Sequence, residues 1–208
     1  MSAAPLLMIF VKYPEPGRVK TRIAAETGAE AAAAIYREMV QEVLDALPEG
    51  QKVRVLYDGF RPLADYQQWL QHPALAEAEF AEQSTGDLGE RLREAFANAF
   101  RGGWRHVGVI GSDCLELTSE IYMEAWAALG TRDVVIGPTF DGGYYFLLLK
   151  AEQPALFTGI EWSSERVFAQ TIAAAKAEAL SVFALQKLND IDTRADWEHS
   201  RSERQGLP

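Results

Sequence analysis

The sequence predicts an α/β fold with a mainly parallel, helix-covered sheet, and three observations support this prediction. Predicted strands and helices alternate along nearly the whole chain. The first strand, residues 6–11 (LLMIFV), is a continuous apolar run, which is typical of a strand buried on both faces. The length of 208 residues fits one domain of this class. We expect residues 1–198 to form that domain and residues 199–208 to form a polar tail.

The elements of the amino-terminal half follow from hydrophobic periodicity. Residues 28–47 are rich in helix formers and repeat an apolar residue every four positions, so they predict a helix. Residues 52–57 (KVRVLY) alternate in polarity and predict a strand. Residues 62–70 predict a short helix, and residues 76–83 are ambiguous.

The carboxyl-terminal half continues the alternation. We expect helices over 87–101, 118–129 and 164–177, and strands over 106–111, 133–137, 144–149 and 180–185. Asp87 stands where a carboxylate can cap a helix, and Thr118 and Ser163 or Ser164 are candidate caps for the later ones. The pair Thr193 and Asp196 fits the capping pattern of a short last helix.

Composition and charge exclude several classes of function. The net charge is −10, so the basic surface of a nucleic-acid-binding protein is absent and we expect no nucleic-acid partner. The single cysteine, Cys114, permits neither an internal disulfide nor a cysteine zinc cluster and fits a reducing cytosol. The apolar run at 5–11 is too short to span a bilayer and has no basic segment before it. We therefore expect a cytoplasmic protein without a membrane span.

A basic loop follows the first predicted strand, in the stretch FVKYPEPGRVKTRIA at residues 10–24. Ligands of α/β folds sit beyond the carboxyl ends of the strands, which is where this loop lies. Lysine, arginine and backbone amides there suit a phosphate group, and we expect Lys12, Arg18, Lys20, Thr21 and Arg22 to bind one. A solvated loop that balances the acidic surface explains the same charges about equally well.

Acidic residues follow two later elements. Asp113 comes directly after the strand at 106–111, beside Ser112, and Asp190 and Asp192 lie two residues apart near the end of the chain. If the three carboxylates converge, they suit Mg²⁺ or Mn²⁺ better than zinc. Turn and helix-cap chemistry is the alternative interpretation for each of them.

Two further segments are candidates for substrate contacts. Asp141, Gly142 and Gly143 follow the strand at 133–137, where adjacent glycines permit either a close approach to a ligand or a tight hairpin. Trp162 precedes a predicted helix start together with Ser163, so it can line a pocket, although a core position is the commoner role of such a tryptophan.

Six motifs in order carry a resemblance to a known family. They are F-x-K-x-P-x-P-G-x-V-K-T-R at 10–22, G-D-L-G-x-R at 86–91, G-S-D-C at 111–114, G-P-x-x-D-G-G-Y-Y at 137–145, W-S-S at 162–164 and D-I-D-T at 190–193. Together they resemble a bacterial family of candidate glycosyltransferases, first defined as a domain of unknown function. That family belongs to the nucleotide-diphospho-sugar transferase (GT-A-like) superfamily and is similar to the 2-phospho-lactate guanylyltransferases.

The resemblance implies a three-layer, Rossmann-like fold with a mixed sheet that binds a nucleotide at its carboxyl edge. It implies that Lys20 and Arg22 contact nucleotide phosphates. It implies a base or ribose contact for Gly86, Asp87 and Gly89. A divalent metal, Mg²⁺ or Mn²⁺, is implied on the following three carboxylates: Asp113, Asp190 and Asp192.

Two chemistries remain open for such a transferase, which we expect to use Lys20, Arg22 and Asp113 as catalytic residues. A nucleotidylyltransferase acts on a nucleoside triphosphate, which the cations of the basic loop favour slightly. A glycosyltransferase acts on a nucleotide-diphospho-sugar, which the usual description of the family favours. In either case the partners are a nucleotide and an acceptor that the sequence does not identify. The alternative from another class is a non-catalytic nucleotide-binding regulatory module.

Overall fold

The structure, a computed structural model, describes residues 5–204 and contains seven strands and seven α-helices in that range, together with two short 3₁₀ helices. The strands are β1 (Leu6–Val11), β2 (Lys52–Tyr57), β3 (Glu79–Glu82), β4 (Val107–Ile110), β5 (Val134–Pro138), β6 (Tyr144–Leu149) and β7 (Val182–Ala184). The helices are α1 (Thr21–Thr27), α2 (Ala29–Asp45), α3 (Leu63–Trp69), α4 (Leu88–Arg101), α5 (Ser119–Leu129), α6 (Val167–Ala177) and α7 (Arg194–Arg204).

All seven strands form one sheet in the order β3-β2-β1-β4-β6-β5-β7. β6 runs antiparallel to both of its neighbours, and every other pairing is parallel. The connection from β5 to β6 is a hairpin through Asp141 and Gly142, in agreement with the turn chemistry of that pair. The predicted mixed, mainly parallel sheet is confirmed.

Helices cover both faces of the sheet and make three layers. Alternate residues of β1 point to opposite faces, so Leu7 and Ile9 pack in one core with Tyr36 of α2. Leu6 and Met8 pack in the other core with the side chains of α4. Because both faces are buried, β1 is apolar throughout, and this is why its bounds could be predicted correctly from the sequence.

Two elements differ from the sequence prediction. The helix expected over 28–47 is preceded by a separate helix, α1, because Gly28 takes a φ of 90° and breaks the chain direction between α1 and α2. The ambiguous segment 76–83 contains β3, an edge strand whose outer residues Glu79 and Glu82 are exposed. An edge strand buries little, so its sequence carries a weak apolar signal.

The predicted helix caps differ in how they are built. Asp87 accepts from the Glu90 amide in a full capping box, and Thr193 and Asp196 make the equivalent reciprocal bonds before α7. Thr118 precedes α5 but makes no side-chain cap bond. α6 begins later than expected, at Val167, and its N-cap is Arg166, so the predicted cap at Ser163 or Ser164 is wrong; Ser163 instead has a left-handed φ of 61°.

The segment expected as a polar tail is partly helical. Residues 199–204 continue α7, and Arg201 and Arg204 form ion pairs with Glu38 and Glu42 of α2. Residues 205–208 lie outside the described residues. Within residues 5–204, no helix combines the length and apolar character that crossing a membrane requires.

Candidate functional site

A cleft of about 750 Å³ lies at the carboxyl edge of the sheet, where the loops after β1, β4 and β5 meet. Its volume falls in the range that small-molecule sites occupy. The charged side chains that line it are Lys12, Arg18, Lys20, Arg22, Arg91, Asp113, Asp141, Asp190 and Asp192. Positive and negative groups are therefore nearly balanced in the cleft of a chain whose net charge is −10.

Lys20 joins three segments of the cleft. Its Nζ lies 2.8 Å from Asp113 Oδ1 after β4 and donates to the Ile191 carbonyl at 2.5 Å. The side chain is only 6% exposed, and the backbone before α1 is left-handed, with a φ of 46°. A non-glycine residue in that conformation costs of the order of 1 kcal/mol, so the surrounding contacts must hold Lys20 in place.

The segment from Asp190 to Asp192 contacts the loop that follows β4. The Ile191 amide donates to the Asp113 carbonyl at 2.8 Å, and Arg22 Nη1 lies 2.8 Å from Asp192 Oδ2. Burial, and next the charge of Asp113, raise the pKa of Asp190 to about 7. The predicted carboxylates therefore share one cleft and act on one another electrostatically.

The fit of these carboxylates to a metal ion follows from their chemistry and number. Within residues 5–204, no three acidic, histidine or cysteine side chains gather closely enough to coordinate one ion. Mg²⁺, however, is commonly held by one or two carboxylates together with phosphate oxygens and water. Asp113 and Asp190 supply two hard oxygen donors of that kind. Asp192 faces Arg22, and its predicted part in a metal site stays a prediction.

A buried pair of hydroxyl groups, those of Tyr36 and Ser112, lies in the wall of the cleft. The Lys12 amide donates to the Tyr36 hydroxyl oxygen at 3.0 Å, and that oxygen lies 3.0 Å from Ser112 Oγ. Burial raises the pKa of Tyr36, so the phenol stays neutral. Either hydroxyl can donate in this pair; when Tyr36 donates to Ser112, the Ser112 proton is available to a ligand.

The basic loop is anchored from its far side. Asp58, after β2, accepts from the Tyr13 amide at 3.1 Å and from the Tyr66 hydroxyl. The Arg18 guanidinium stacks 3.9 Å from the ring centroid of Phe60. These contacts distinguish the loop from a freely solvated one, although the side chain of Lys12 itself is exposed.

The turn between β5 and β6 uses Asp141 in two ways. One carboxylate oxygen accepts from Thr139 Oγ at 2.5 Å and from the Gly143 amide at 3.0 Å, and the same residue lines the cleft. Gly142 has a φ of 92°, and a side chain there would collide with the carbonyl of Glu165. The turn therefore needs its glycine for packing as well as for conformation.

Several predicted site residues do not line the cleft, namely Gly86, Asp87, Gly89, Gly142, Gly143 and Trp162. Three of them have visible tasks in the scaffold: Asp87 caps α4, Gly89 leaves room for the indole of Trp162, and Gly142 packs against Glu165. Ligand contacts for all six stay predictions. The predicted residues that do line it include Thr21, Ser112 and Ser163.

Sequence reasoning missed a polar pair in the cleft, Gln83 and Arg91. Gln83 Nε2 donates to the carbonyls of Val11 and Leu56, at 3.1 and 2.7 Å, and its Oε1 accepts from Arg91 Nη1 at 3.0 Å. Arg91 lies in the quoted G-D-L-G-x-R motif, which was the available signal. Gln83 follows β3, the strand that the sequence left ambiguous, so its place at a strand end was hidden.

Comparisons with known proteins identify a family and a similar solved structure for this chain. The family model described as "Uncharacterized protein conserved in bacteria (DUF2064)" matches residues 40–164. A crystal structure from Desulfovibrio desulfuricans G20, described as a candidate nucleotide-diphospho-sugar transferase, is 36% identical over 93% of this chain and 84% of that one, with a TM-score of 0.85. No protein of curated function matches the sequence.

Two more distant solved structures share the fold. CMP:2-keto-3-deoxy-manno-octonic acid synthetase, complexed with CTP, is 11% identical over 99% of this chain and 100% of that one, with a TM-score of 0.60. Glucosyl-3-phosphoglycerate synthase from Mycobacterium tuberculosis, in complex with Mn²⁺, uridine diphosphate and glucosyl-3-phosphoglycerate, is 12% identical over 99% and 81%, with a TM-score of 0.54. These two matches concern the fold alone. Together with the structure from Desulfovibrio desulfuricans G20, they confirm the predicted fold class.

Proposed function

The chain belongs to the DUF2064 family and has the nucleotide-diphospho-sugar transferase fold, and from that premise we propose that it is a metal-dependent transferase with a nucleotide substrate. One observation carries the proposal. A single cleft at the carboxyl edge of the sheet combines phosphate-binding cations with carboxylates from distant parts of the chain. Solved structures of the fold include one with CTP and one with Mn²⁺ and uridine diphosphate, which supports the same ligand class.

In this proposal Lys20 and Arg22 bind the phosphates of the nucleotide. Both cations are now paired, with Asp113 and Asp192, so phosphate oxygens would take over part of the role of those carboxylates. Ser112 donates its proton to a phosphate oxygen, and Tyr36 orients it. Lys12 and Arg18 extend the positive surface toward the mouth of the cleft.

Asp113 and Asp190 would hold the divalent ion, with Asp192 as the third predicted ligand. When bound, such an ion neutralises charge on the phosphate that leaves. The raised pKa of Asp190 is consistent with this part of the proposal, because burial, and next the charge of Asp113, disfavour its charged form and a bound cation would offset both. Asp141, Ser163 and the predicted contacts at Gly142, Gly143 and Trp162 would border the acceptor.

Two reactions fit this arrangement. In nucleotidyl transfer an acceptor oxygen forms a bond to the α-phosphorus, the bond from that phosphorus to the bridging oxygen breaks, and pyrophosphate leaves while the acceptor loses its proton. In glycosyl transfer the acceptor oxygen bonds to the anomeric carbon, the bond from that carbon to the phosphate oxygen breaks, and the nucleoside diphosphate leaves while the acceptor loses its proton. The number of cations in the cleft favours a triphosphate substrate and hence the first reaction. A non-catalytic nucleotide-binding module is the second candidate, supported by the internal pairing of Lys20 with Asp113.

Isothermal titration calorimetry tests the proposal directly. Nucleoside triphosphates and nucleotide-diphospho-sugars are titrated into the protein with Mg²⁺ and then with EDTA. We expect binding that weakens at least about tenfold without the ion, because two carboxylates then face the phosphates unshielded. If neither ligand class binds in either condition, the proposed function is wrong.

A further inference from the structure

The cations of the cleft differ in what holds them. Lys20 and Arg22 are each paired with an aspartate. Arg91 has only neutral partners in the described chain, the Gln83 side chain at 3.0 Å and the Asp87 carbonyl at 3.3 Å. Its guanidinium therefore keeps its full charge while its orientation is fixed. Of its five N–H groups these bonds use two, so both hydrogens of Nη2 and one of Nη1 remain.

The orientation of Gln83 is determined by its other bonds. Its amide nitrogen donates to the carbonyls of Val11 and Leu56, which end β1 and β2. Because carbonyls accept only, the nitrogen must face them and the amide oxygen must face Arg91. Arg91 is thus attached through one side chain to the rigid ends of two strands.

Apolar side chains line the cleft together with Arg91. Leu88 and Leu92 lie three residues before and one residue after it on α4, and both line the cleft together with Phe10 of β1. Leu88 is 36% exposed, although it is a large apolar residue, so this wall is open to a ligand. An apolar wall with one fixed guanidinium suits a flat aromatic group with hydrogen-bond acceptors at its edge better than it suits a second phosphate.

From this arrangement we infer that Arg91 selects the base of the nucleotide, and that it favours a base with two adjacent acceptors on one edge. The inference rests on the proposed function. Guanine presents such a pair in O6 and N7, and cytosine in O2 and N3, so two parallel N–H groups of arginine fit either. Adenine places an amino donor beside each of its edge acceptors N1 and N7. Uracil separates its two carbonyls by an N–H donor.

The expected preference is measurable. A bidentate arginine–base pair discriminates by about 1–3 kcal/mol, which corresponds to a factor of about 5 to 150 in dissociation constant. Calorimetric titration of GTP, CTP, ATP and UTP at one Mg²⁺ concentration should place GTP or CTP, or both, ahead of the other two by such a factor. The GTP and CTP titrations decide between the two sources of the acceptor pair.

Variants connect the preference to Arg91. Arg91→Lys keeps the charge but loses the parallel N–H pair, so the preference should fall to within about threefold while ATP binding changes little. Arg93→Lys is the matched control, since Arg93 is an exposed arginine two residues further along α4, and it should keep the preference. Gln83→Met keeps Arg91 but removes its hydrogen bond to the Gln83 amide oxygen, so it should reduce the base preference in part. Circular dichroism melting of each variant shows whether it folds.

The possible outcomes distinguish failure of the role inferred for Arg91 from failure of the proposed function. Equal affinity for all four triphosphates, or a preference for ATP or UTP, overturns the inference and leaves the proposed function standing. A preference for GTP or CTP that survives Arg91→Lys overturns the role of Arg91. Absence of binding by any triphosphate or nucleotide-diphospho-sugar overturns the proposed function as well.

Discussion

The pKa shifts of two aspartates at opposite ends of the strands have opposite signs: that of Asp133, at the amino edge of the sheet, is lowered, and that of Asp190, at the carboxyl edge, is raised. At the amino edge Asp133, which precedes β5, accepts from the amide and hydroxyl of Ser181 at 2.9 and 2.5 Å and pairs with Lys150 at 3.0 Å. These hydrogen bonds, with Lys150, lower the pKa of Asp133 to about 2. At the carboxyl edge, burial and Asp113 raise the pKa of Asp190 to about 7.

The difference teaches where the fold is complete and where it is open to a ligand. Asp133, which joins the start of β5 to Ser181 before β7, has hydrogen-bond partners that favour its charged form and lower its pKa. In the cleft, burial and next the charge of Asp113 disfavour the charged form of Asp190 and raise its pKa. The loops after β1, β4 and β5, which carry Lys20, Asp113 and Asp141, meet at the carboxyl edge, so charged side chains collect there. Variants at the carboxyl and amino edges of the sheet test this difference.

The largest expected effect is that of Asp113→Asn. If the protein is an enzyme, turnover should fall about 100- to 1000-fold, since the variant loses a carboxylate ligand of the proposed divalent ion, which would neutralise charge on the leaving phosphate. Release of pyrophosphate or nucleoside diphosphate measures it, once an acceptor is found. A regulatory nucleotide-binding module would instead show only a modest loss of affinity in calorimetry.

Lys20→Met should have the next largest effect, a loss of nucleotide affinity of about 10- to 100-fold, because a charge-assisted phosphate contact disappears. Lys52→Met is the matched control. Lys52 forms an ion pair with Glu77 near the amino edge, so its removal should leave the affinity unchanged. Calorimetry on both variants makes the comparison, and equal losses would contradict the assignment of Lys20 to the phosphates.

The hydroxyl pair should show a smaller effect. Ser112→Ala removes the donor itself, and Tyr36→Phe removes the group that orients it, so each should weaken nucleotide binding by about 3- to 30-fold. Tyr36→Phe also leaves the Lys12 amide without its acceptor and should cost about 1 kcal/mol of stability. Chemical denaturation gives the second number. Unchanged binding in both variants would remove Ser112 from the phosphate site.

The smallest effect is expected at the amino edge. The pKa of Asp133 is lowered in the folded state, so its stabilising contribution is present above its unfolded value near 4 and is lost as the pH falls toward 2. The side chain is 31% exposed, and solvent screening reduces that contribution to about 1 kcal/mol. Asp133→Asn should lose this amount at pH 7 and nothing near pH 2, without any change in nucleotide affinity. Denaturation curves between pH 2 and 7 check the sign.

Much of the fold could be predicted because it depends on local pattern. β1, β2 and β6 have the bounds that their apolar runs predict, and the caps at Asp87 and Thr193 follow from residue type alone. β3 could not be predicted, since an edge strand with exposed glutamates lacks a buried face. The antiparallel direction of β6 followed only from the shortness of its connection to β5.

Some features of the candidate site could likewise be predicted from the sequence, and others could not. The approach of Lys20 to Asp113 could be expected because each follows a buried strand of a parallel sheet. The bond from Gln83 to the Val11 carbonyl depends on the lateral order of β1, β2 and β3, which no local pattern encodes. Arg91 was therefore visible in a motif while its role was not.

The internal pairing of Lys20 and Arg22 also bears on how a nucleotide arrives. The net charge of −10 repels a multiply charged anion at long range, and because Lys20 and Arg22 are paired, Lys12, Arg18 and Arg91 are left to attract it close to the cleft. Salt screens the repulsion that remains, so the association rate should rise with ionic strength, opposite to the behaviour of an electrostatically steered pair. Recognition in this protein would then begin only after the ligand has entered the cleft, when the paired charges exchange partners.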